Sequence, residues 1–316
     1  MTDQDPSGGG SAGLRFHILM PYYGDVAVMQ DAVRSVLAQD GDDWRLTVVD
    51  DGKEAGVPEW FAALADDRVR YLRNEHNLGV TGNFNRCVEL SEGEHTVLMG
   101  CDDLLLPNYL RTVRAALDHE PKATMVQPGV DVIDGEGRPS RTLADTTKDR
   151  LYAPKGARPL TLSGEDLAVS LLRGNWLYFP SICWRTEAMR KFRFRADLGV
   201  IQDLALVVDL LLDGASMVVT DTVAFQYRRH AVSESSAKAL SGDRFDEARR
   251  FFLETSDRLT AHGWNRAAKA SRRYWSSRLH AVTLLPATAR RGPKGSTRAM
   301  LRHAFGPIGG GRAGSA

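Results

Sequence analysis

Along residues 15–133, short unbroken apolar runs alternate with segments whose apolar positions recur every three or four residues. The first rhythm suits strands buried on both faces, and the second suits amphipathic helices packed on a sheet. Strands are predicted at 15–20, 45–49, 69–73, 96–99 and 124–127, with helices at 26–38, 58–65, 80–91 and 107–119 between them. Pro58 and Pro107 open two of these helices, at a first-turn position where a missing N–H costs nothing. This alternation implies an α/β fold with a mostly parallel sheet flanked by helices.

Residues 134–162 break the rhythm. They are polar and rich in Gly, Pro and Thr, which predicts a long loop of the kind that is either disordered or serves as a lid over a site. Beyond it the pattern predicts a helix at 164–173, a short strand at 181–184, an apolar helix at 201–212 and two strands at 217–220 and 223–227. From 236 onward the pattern is helical, with apolar and aromatic faces at 243–262 and 264–285, and it dissolves into Gly, Arg and Ala at the end. The longest apolar region, 204–219, carries Asp209 and Asp213 and is too interrupted to cross a bilayer. Residues 1–13 have no basic start and no apolar run, so they read as a flexible Gly/Ser-rich leader rather than a signal peptide.

Composition changes the picture in one respect. The chain has 316 residues, 43% hydrophobic, which excludes a disordered chain and supports one elaborated domain or two. Its net charge of +1 conceals a split: from Arg258 on there are twelve Lys and Arg and no acidic residue, leaving 29 basic against 40 acidic residues before it. An acidic body thus precedes a basic C-terminus. Three cysteines, Cys87, Cys101 and Cys183, with no C-x-x-C spacing suggest neither a disulfide framework nor a zinc site, and fit a reducing cytoplasm.

Two acidic pairs carry the candidate chemistry. Asp50-Asp51 follows the second predicted strand and Asp102-Asp103 the fourth, so both lie at carboxyl ends of parallel strands taken as neighbours, the edge where open α/β sheets bind ligands. Adjacent carboxylates repel unless a cation neutralises them, and Mg²⁺ or Mn²⁺ can share such ligands with phosphate oxygens. The plainer alternative is that each pair caps the loop or helix that follows.

The order Ile18-Leu19-Met20-Pro21-Tyr22-Tyr23, Val48-Val49-Asp50-Asp51-Gly52, Asn77-Leu78-Gly79, Asn83-Phe84-Asn85 and Gly93-Glu94-His95 leading to Cys101-Asp102-Asp103 resembles the family 2 glycosyltransferases over about residues 15 to 235. The resemblance implies a GT-A type fold with a nucleotide-binding half at 14–133 and an acceptor-binding half at 134–235, and the residue pattern adds a helical extension at 236–290 and a basic, disordered tail at 291–316. It implies inverting transfer from a nucleotide sugar, with a UDP-sugar favoured and GDP or dTDP donors open, to a saccharide, lipid-linked or small-molecule acceptor.

Carried over by position, the resemblance places the nucleoside at Pro21 and Tyr23, with Asp51 on the base, Asp50 as second choice and Asn85 nearby. It gives Asp102 to the ribose and Asp103 to a metal, Mn²⁺ or Mg²⁺, although Gly100 stands where many relatives have a further acidic residue. Asp203, in Ile201-Gln202-Asp203, matches the general base. Tyr227-Arg228-Arg229-His230 matches a closing segment in which His230 reaches the metal or diphosphate, and Arg228 and Arg229 are phosphate candidates. Trp176 and Tyr178 are acceptor candidates because aromatic faces stack on sugar rings.

Two other classes remain open at this level: a metal-dependent sugar-phosphate nucleotidyltransferase and a non-catalytic nucleotide-sugar binding module. Gly8, Gly10 and Gly13 spell G-x-G-x-x-G but precede the first strand, and no phosphate-loop, zincin or nucleophile-elbow motif occurs. The basic C-terminus reads either as a helical cap on the acidic body or as a peripheral contact with the inner face of a membrane, and no motif supports nucleic acid.

Overall fold

The computed structural model describes residues 14–140, 142, 151–229, 243–291, 293 and 295–307. Its first half is the expected alternation: β1 (Phe16–Tyr22), α1 (Val26–Leu37), β2 (Trp44–Asp50), α2 (Val57–Leu64), β3 (Val69–Arg73), α3 (Gly79–Leu90), β4 (His95–Leu98), β5 (Leu104–Leu105), α4 (Tyr109–His119) and β6 (Met125–Ile133). Pro58 sits in the first turn of α2, whereas Pro107 lies ahead of α4, whose cap is Asn108. The second half contains β7 (Leu160–Ser163), α5 (Gly164–Arg173), β8 (Cys183–Arg185), α6 (Thr186–Arg190), α7 (Gln202–Leu212) and β9 (Ser216–Arg228). The C-terminal helices are α8 (Asp243–Ala261), α9 (Asn265–Arg273), α10 (Trp275–Arg291) and α11 (Ser296–Phe305).

All nine strands described form one mixed sheet in the order β3-β2-β1-β4-β8-β6-β9-β5, with β7 paired to β9. Strands β3, β2, β1 and β4 run parallel, and β8 joins β4 and β6 antiparallel. The two acidic pairs therefore do not end neighbouring strands. β1 lies between β2 and β4, so the pairs flank its carboxyl end, and Tyr22 and Tyr23 stand between them.

Other departures have simple physical causes. The strands expected at 217–220 and 223–227 are one, carrying an irregularity at the exposed stretch Asp221, Thr222 and Val223, where pairing with β6 shifts register. Opposite it, Gly129 marks a register shift where a Cβ would come within 2.7 Å of the Asp221 carbonyl. The predicted 134–162 loop lies partly outside the described residues. Within them, Asp134 starts a tight turn by accepting the N–H groups of Glu136 and Arg138, and Leu160 begins β7. The helix expected at 264–285 is two, divided at Tyr274 with φ of 32°. The tail expected to lack structure carries α11.

Two main cores lie on opposite faces of the sheet. One joins β1 and β2 to α1 and α4 through Met29, Val33, Tyr109 and Val113. The other holds α5 and α7 and continues into Phe251, Phe252, Leu259 and Tyr274 of the C-terminal helices, so the extension shares a core with the second half. Its basic residues also pair with acidic ones: Arg258 with Asp209 (2.6 Å), Arg266 with Asp166 (2.7 Å) and Arg302 with Asp246 (2.6 Å). Burial supplies most of the attachment, since such exposed pairs each contribute little.

Candidate active site

A cleft of about 1040 Å³ opens at the carboxyl ends of β1, β2 and β4 and is closed on its far side by the start of α7. Pro21, Tyr23, Asp51, Asp102, Asp203 and Arg229 all contribute to its wall, together with Tyr178. Residues predicted from segments up to 208 positions apart in the chain thus share one cavity.

The β2 pair has two distinct environments. Asp50 is fully buried and does not reach the cleft: its carboxylate accepts hydrogen bonds from the Gly52 N–H (2.8 Å), Arg73 Nε (2.8 Å) and the Tyr71 hydroxyl. Asp51 lines the cleft, yet accepts from Asn74 Nδ2 (2.8 Å), the Leu78 N–H (2.8 Å) and the Gly79 N–H (2.9 Å). Leu78 and Gly79 open α3, whose N-cap residue makes no side-chain cap bond, so Asp51 at the end of β2 satisfies its free N–H groups, with Asn77 Oδ1 also accepting the Gly79 N–H (3.0 Å). The capping alternative and a cleft-wall position are thus both realised in one residue.

Asn83, one turn into α3, donates to the Val49 carbonyl (2.9 Å) and accepts from Asn74 Nδ2 (3.1 Å), and it forms part of the cleft wall. Asn85, the expected contact, instead points to the opposite side. It donates to the Phe194 carbonyl (3.0 Å) and accepts the Phe194 N–H (2.8 Å), holding α3 to the second half. Positions two apart on a helix face apart by about 200°, so only one of the two asparagines can face the cleft.

The β4 pair divides similarly. Asp102 is on the cleft wall, while Asp103 is buried behind it and accepts the Arg228 N–H at 2.8 Å. Burial, reinforced by the charge of Asp102, pushes the Asp103 carboxyl well above its ordinary range. Asp103, expected on the metal, therefore does not reach the cavity. Gly100 lies against both carboxylates: a Cβ there would come within 2.5 Å of Asp103 Oδ2 and 2.9 Å of Asp102 Oδ1, so a larger residue would shift those side chains.

Arg228 is also internal. Its Nε donates to the Asp102 carbonyl (2.8 Å) and its Nη1 to the Gly135 carbonyl (3.0 Å), so it fixes the acidic turn instead of facing a phosphate. Arg229 reaches the cleft and donates to Thr142 Oγ1 at 2.9 Å. His230 lies outside the described residues. Trp176, an acceptor candidate, is buried in the core with its Nε1 donating to Ser170 Oγ (2.9 Å), whereas Tyr178 lines the cleft 5.5 Å from the Tyr227 ring.

Asp203 occupies the first turn of α7, a helix buried on nearly every side through Leu204, Val207, Val208 and Leu211. One of its oxygens accepts the Leu204 N–H (2.7 Å) and the other lies 3.4 Å from Asn175 Nδ2. The loop leading into it is held from outside: Glu247 of α8 accepts the N–H groups of Gly199 (2.8 Å), Val200 (3.0 Å) and Ile201 (3.3 Å). Arg244, one turn earlier on α8, is pulled down from its ordinary value by burial, opposed by the charges of Asp203 and Glu247. No sequence motif marks Glu247 or Arg244, because their partners lie more than forty residues away.

Among the described residues, no cluster of three or more His, Cys, Asp or Glu could hold an ion unaided. One cleft-facing carboxylate fits Mg²⁺ or Mn²⁺, which completes its shell with water and substrate phosphates.

A sequence model of glycosyl transferase family 2 matches residues 17–179, more than half of the chain, across the β1, β2 and β4 ends that build the cleft. The chain belongs to glycosyl transferase family 2. An uncharacterised protein of Mycobacterium tuberculosis is 26% identical over 71% of this chain and 70% of its own length. The succinoglycan biosynthesis protein ExoO of Rhizobium meliloti is 26% identical over 71% of this chain but 63% of its own. This glycosyltransferase therefore spans less than two thirds of ExoO. Its fold is similar to that of S. aureus TarS solved with UDP-GlcNAc, with a TM-score of 0.59 at 16% identity over 76% of this chain and 66% of that one. It is also similar to the mannosyltransferase PcManGT of Pyrobaculum calidifontis solved with GDP-Man and Mn²⁺, with a TM-score of 0.55 at 14% identity over 92% of this chain and 79% of that one. These likenesses establish a GT-A type fold.

Proposed function

We propose that this glycosyltransferase moves a sugar from a nucleoside diphosphate sugar to a hydroxyl acceptor with inversion at the anomeric carbon. The observation that carries the reading is that one cleft is walled by Asp102, from the acidic turn after β4, and by Asp203, from the start of α7. Its size suits a ligand as large as a nucleotide sugar.

The nucleoside lies against Pro21, Tyr23, Asp51 and Asn83. Asp102 is the carboxylate that would hold Mn²⁺ or Mg²⁺ with the donor diphosphate, a role that its cleft-facing position favours over Asp103. The bound ion would offset the negative charge that develops on the diphosphate. Arg229 adds a second positive charge on the same side. Asp203 takes the acceptor hydroxyl proton as the acceptor oxygen bonds to the anomeric carbon and the bond from that carbon to the phosphate oxygen breaks. Tyr178 provides an aromatic surface for the acceptor.

A uridine donor remains the favoured choice, supported by the UDP-GlcNAc of the TarS structure, while the GDP-Man of PcManGT keeps guanosine in view. The acceptor is a saccharide, a lipid-linked molecule or a small molecule, on the cytoplasmic side, with the basic C-terminus reaching an anionic membrane surface. The test is release of nucleoside diphosphate from a panel of nucleotide sugars by the wild type and Asp203→Asn. General-base assistance typically supplies about 10²–10⁴-fold, so turnover falls by that much while donor affinity stays within about twofold. Equal turnover by the variant would remove Asp203 from the mechanism.

A further inference from the structure

Ten large apolar side chains are exposed among the described residues, and they are not scattered. Tyr23, Leu78 and Val80 belong to the cleft segments, and five others fall within residues 275–305. On α10, Trp275, Leu279, Val282 and Pro286 follow one another at four, three and four positions, which places them in a single stripe along the helix. Trp275 and Leu279 are 54% and 57% exposed. The opposite requirements of the helix are already met, because Arg278, Ala281 and Thr288 are the buried positions. α10 thus turns its apolar stripe to solvent while Arg278 and Thr288 are among its buried positions, an arrangement that a surface helix of a monomer has no reason to adopt.

α11 presents a second stripe of a different kind. Leu301 and Phe305, the latter 67% exposed, alternate with Arg298 and Arg302 on its outer side. Met300, His303 and Ala304 face inward. The two helices are locked together by Arg278, whose guanidinium donates to the carbonyls of Ala304 (2.9 Å) and Gly306 (2.5 Å), and by the contact of Ser277 Oγ with His303 Nε2 (2.9 Å). The stripes therefore sit on a fixed hairpin.

We propose that the outward faces of α10 and α11 dock this protein on an anionic lipid bilayer. Charge selects the occupant. The segment from Arg258 to the end contains no Asp or Glu, and Lys269, Arg273, Arg290 and Arg298 are exposed in it. Large apolar and aromatic groups beside basic ones suit the headgroup boundary, where rings and aliphatic chains bury while guanidinium groups stay with lipid phosphates. No helix described is long and apolar enough to cross a membrane, so the contact is peripheral. The proposal rests on the transferase reading only for its purpose, which is to bring the cleft to acceptors held at that surface.

The experiment is co-sedimentation of the full chain with vesicles of phosphatidylcholine alone or with three parts in ten phosphatidylglycerol, with light scattering of the protein alone. The wild type sediments with the anionic vesicles only and is released by high salt. Leu279→Asp and Phe305→Asp each lower the partition by about tenfold or more, and Arg298→Glu lowers it with no apolar surface removed. Asp203→Asn sediments like the wild type, so loss of turnover and loss of docking are separable. Absence of anionic-vesicle binding, or binding unchanged in all three surface variants, overturns the proposal. A dimer that dissolves in Leu279→Asp also overturns it, by assigning the stripe to a second copy of the chain.

Discussion

Glu247 on α8 accepts the Gly199 N–H at 2.8 Å, four residues before Asp203 at the wall of the cleft. The same carboxylate also takes the N–H groups of Val200 and Ile201, so the C-terminal extension sets the position of the loop that delivers Asp203. Misplacement of a reacting group by about 1 Å can cost on the order of 100-fold in rate. Glu247→Ala is expected to lower kcat by about 10- to 100-fold with donor affinity nearly unchanged. Glu247→Gln, which keeps one acceptor oxygen, recovers part of the loss. Steady-state kinetics check this, and a matching rise in donor KM would contradict it.

Asp51 anchors the 74–79 loop and the start of α3 through three accepted hydrogen bonds. Asp51→Ala leaves the N–H groups of Leu78 and Gly79 without that partner and is expected to cost about 3 kcal/mol of stability. Urea unfolding reads the cost, and nucleotide affinity falls with it because Asn77, Gly79 and Asn83 belong to the same cleft wall. Asp51→Asn retains an acceptor and costs less. A variant with unchanged stability would show that the capping is energetically idle.

Three buried histidines set an acid limit. His17, His95 and His303 are each pushed down from 6.5 to about 4, first by burial and then by nearby arginines. Arg45 and Arg70 act on His17, Arg185 and Arg15 on His95, and Arg278 and Arg249 on His303, where a backbone contact with Phe245 and the charge of Asp246 oppose them. The unfolded chain binds these protons near pH 6.5 and the folded one only near 4, so the stabilisation is complete above 6.5 and is lost as pH falls toward 4. Melting temperatures across that window should drop steeply. His17→Asn removes one of the protons and gives a shallower dependence, whereas an unchanged slope would exclude His17 as a contributor.

Much of this molecule was readable from its sequence, for reasons that also explain the exceptions. Residues 16–119 follow strict strand and helix periods, and the predicted elements there form within two residues of their expected bounds, while the two-residue β5 (Leu104–Leu105) is not predicted because it is too short to show a period. β7 has only Leu160 and Leu162 as apolar residues, too few to signal a strand against the polar text around it. At the site, motif residues converge on one cleft, but the spelling does not state which of two adjacent side chains faces it. Asp102 rather than Asp103, Asn83 rather than Asn85, and Tyr178 rather than Trp176 are set by turn geometry and packing. Glu247 had no local signal because its partners lie in another element.

Asp102 would hold the metal that carries the donor diphosphate, with Asp203 serving a later step. Calorimetric titration of UDP, and of GDP if UDP fails, with and without Mn²⁺ tests it on the wild type, Asp102→Asn and Asp203→Asn. Binding is expected to require Mn²⁺, to persist in Asp203→Asn and to be lost in Asp102→Asn. Mn²⁺-dependent binding that survives in Asp102→Asn, or binding indifferent to Mn²⁺ in the wild type, would contradict it.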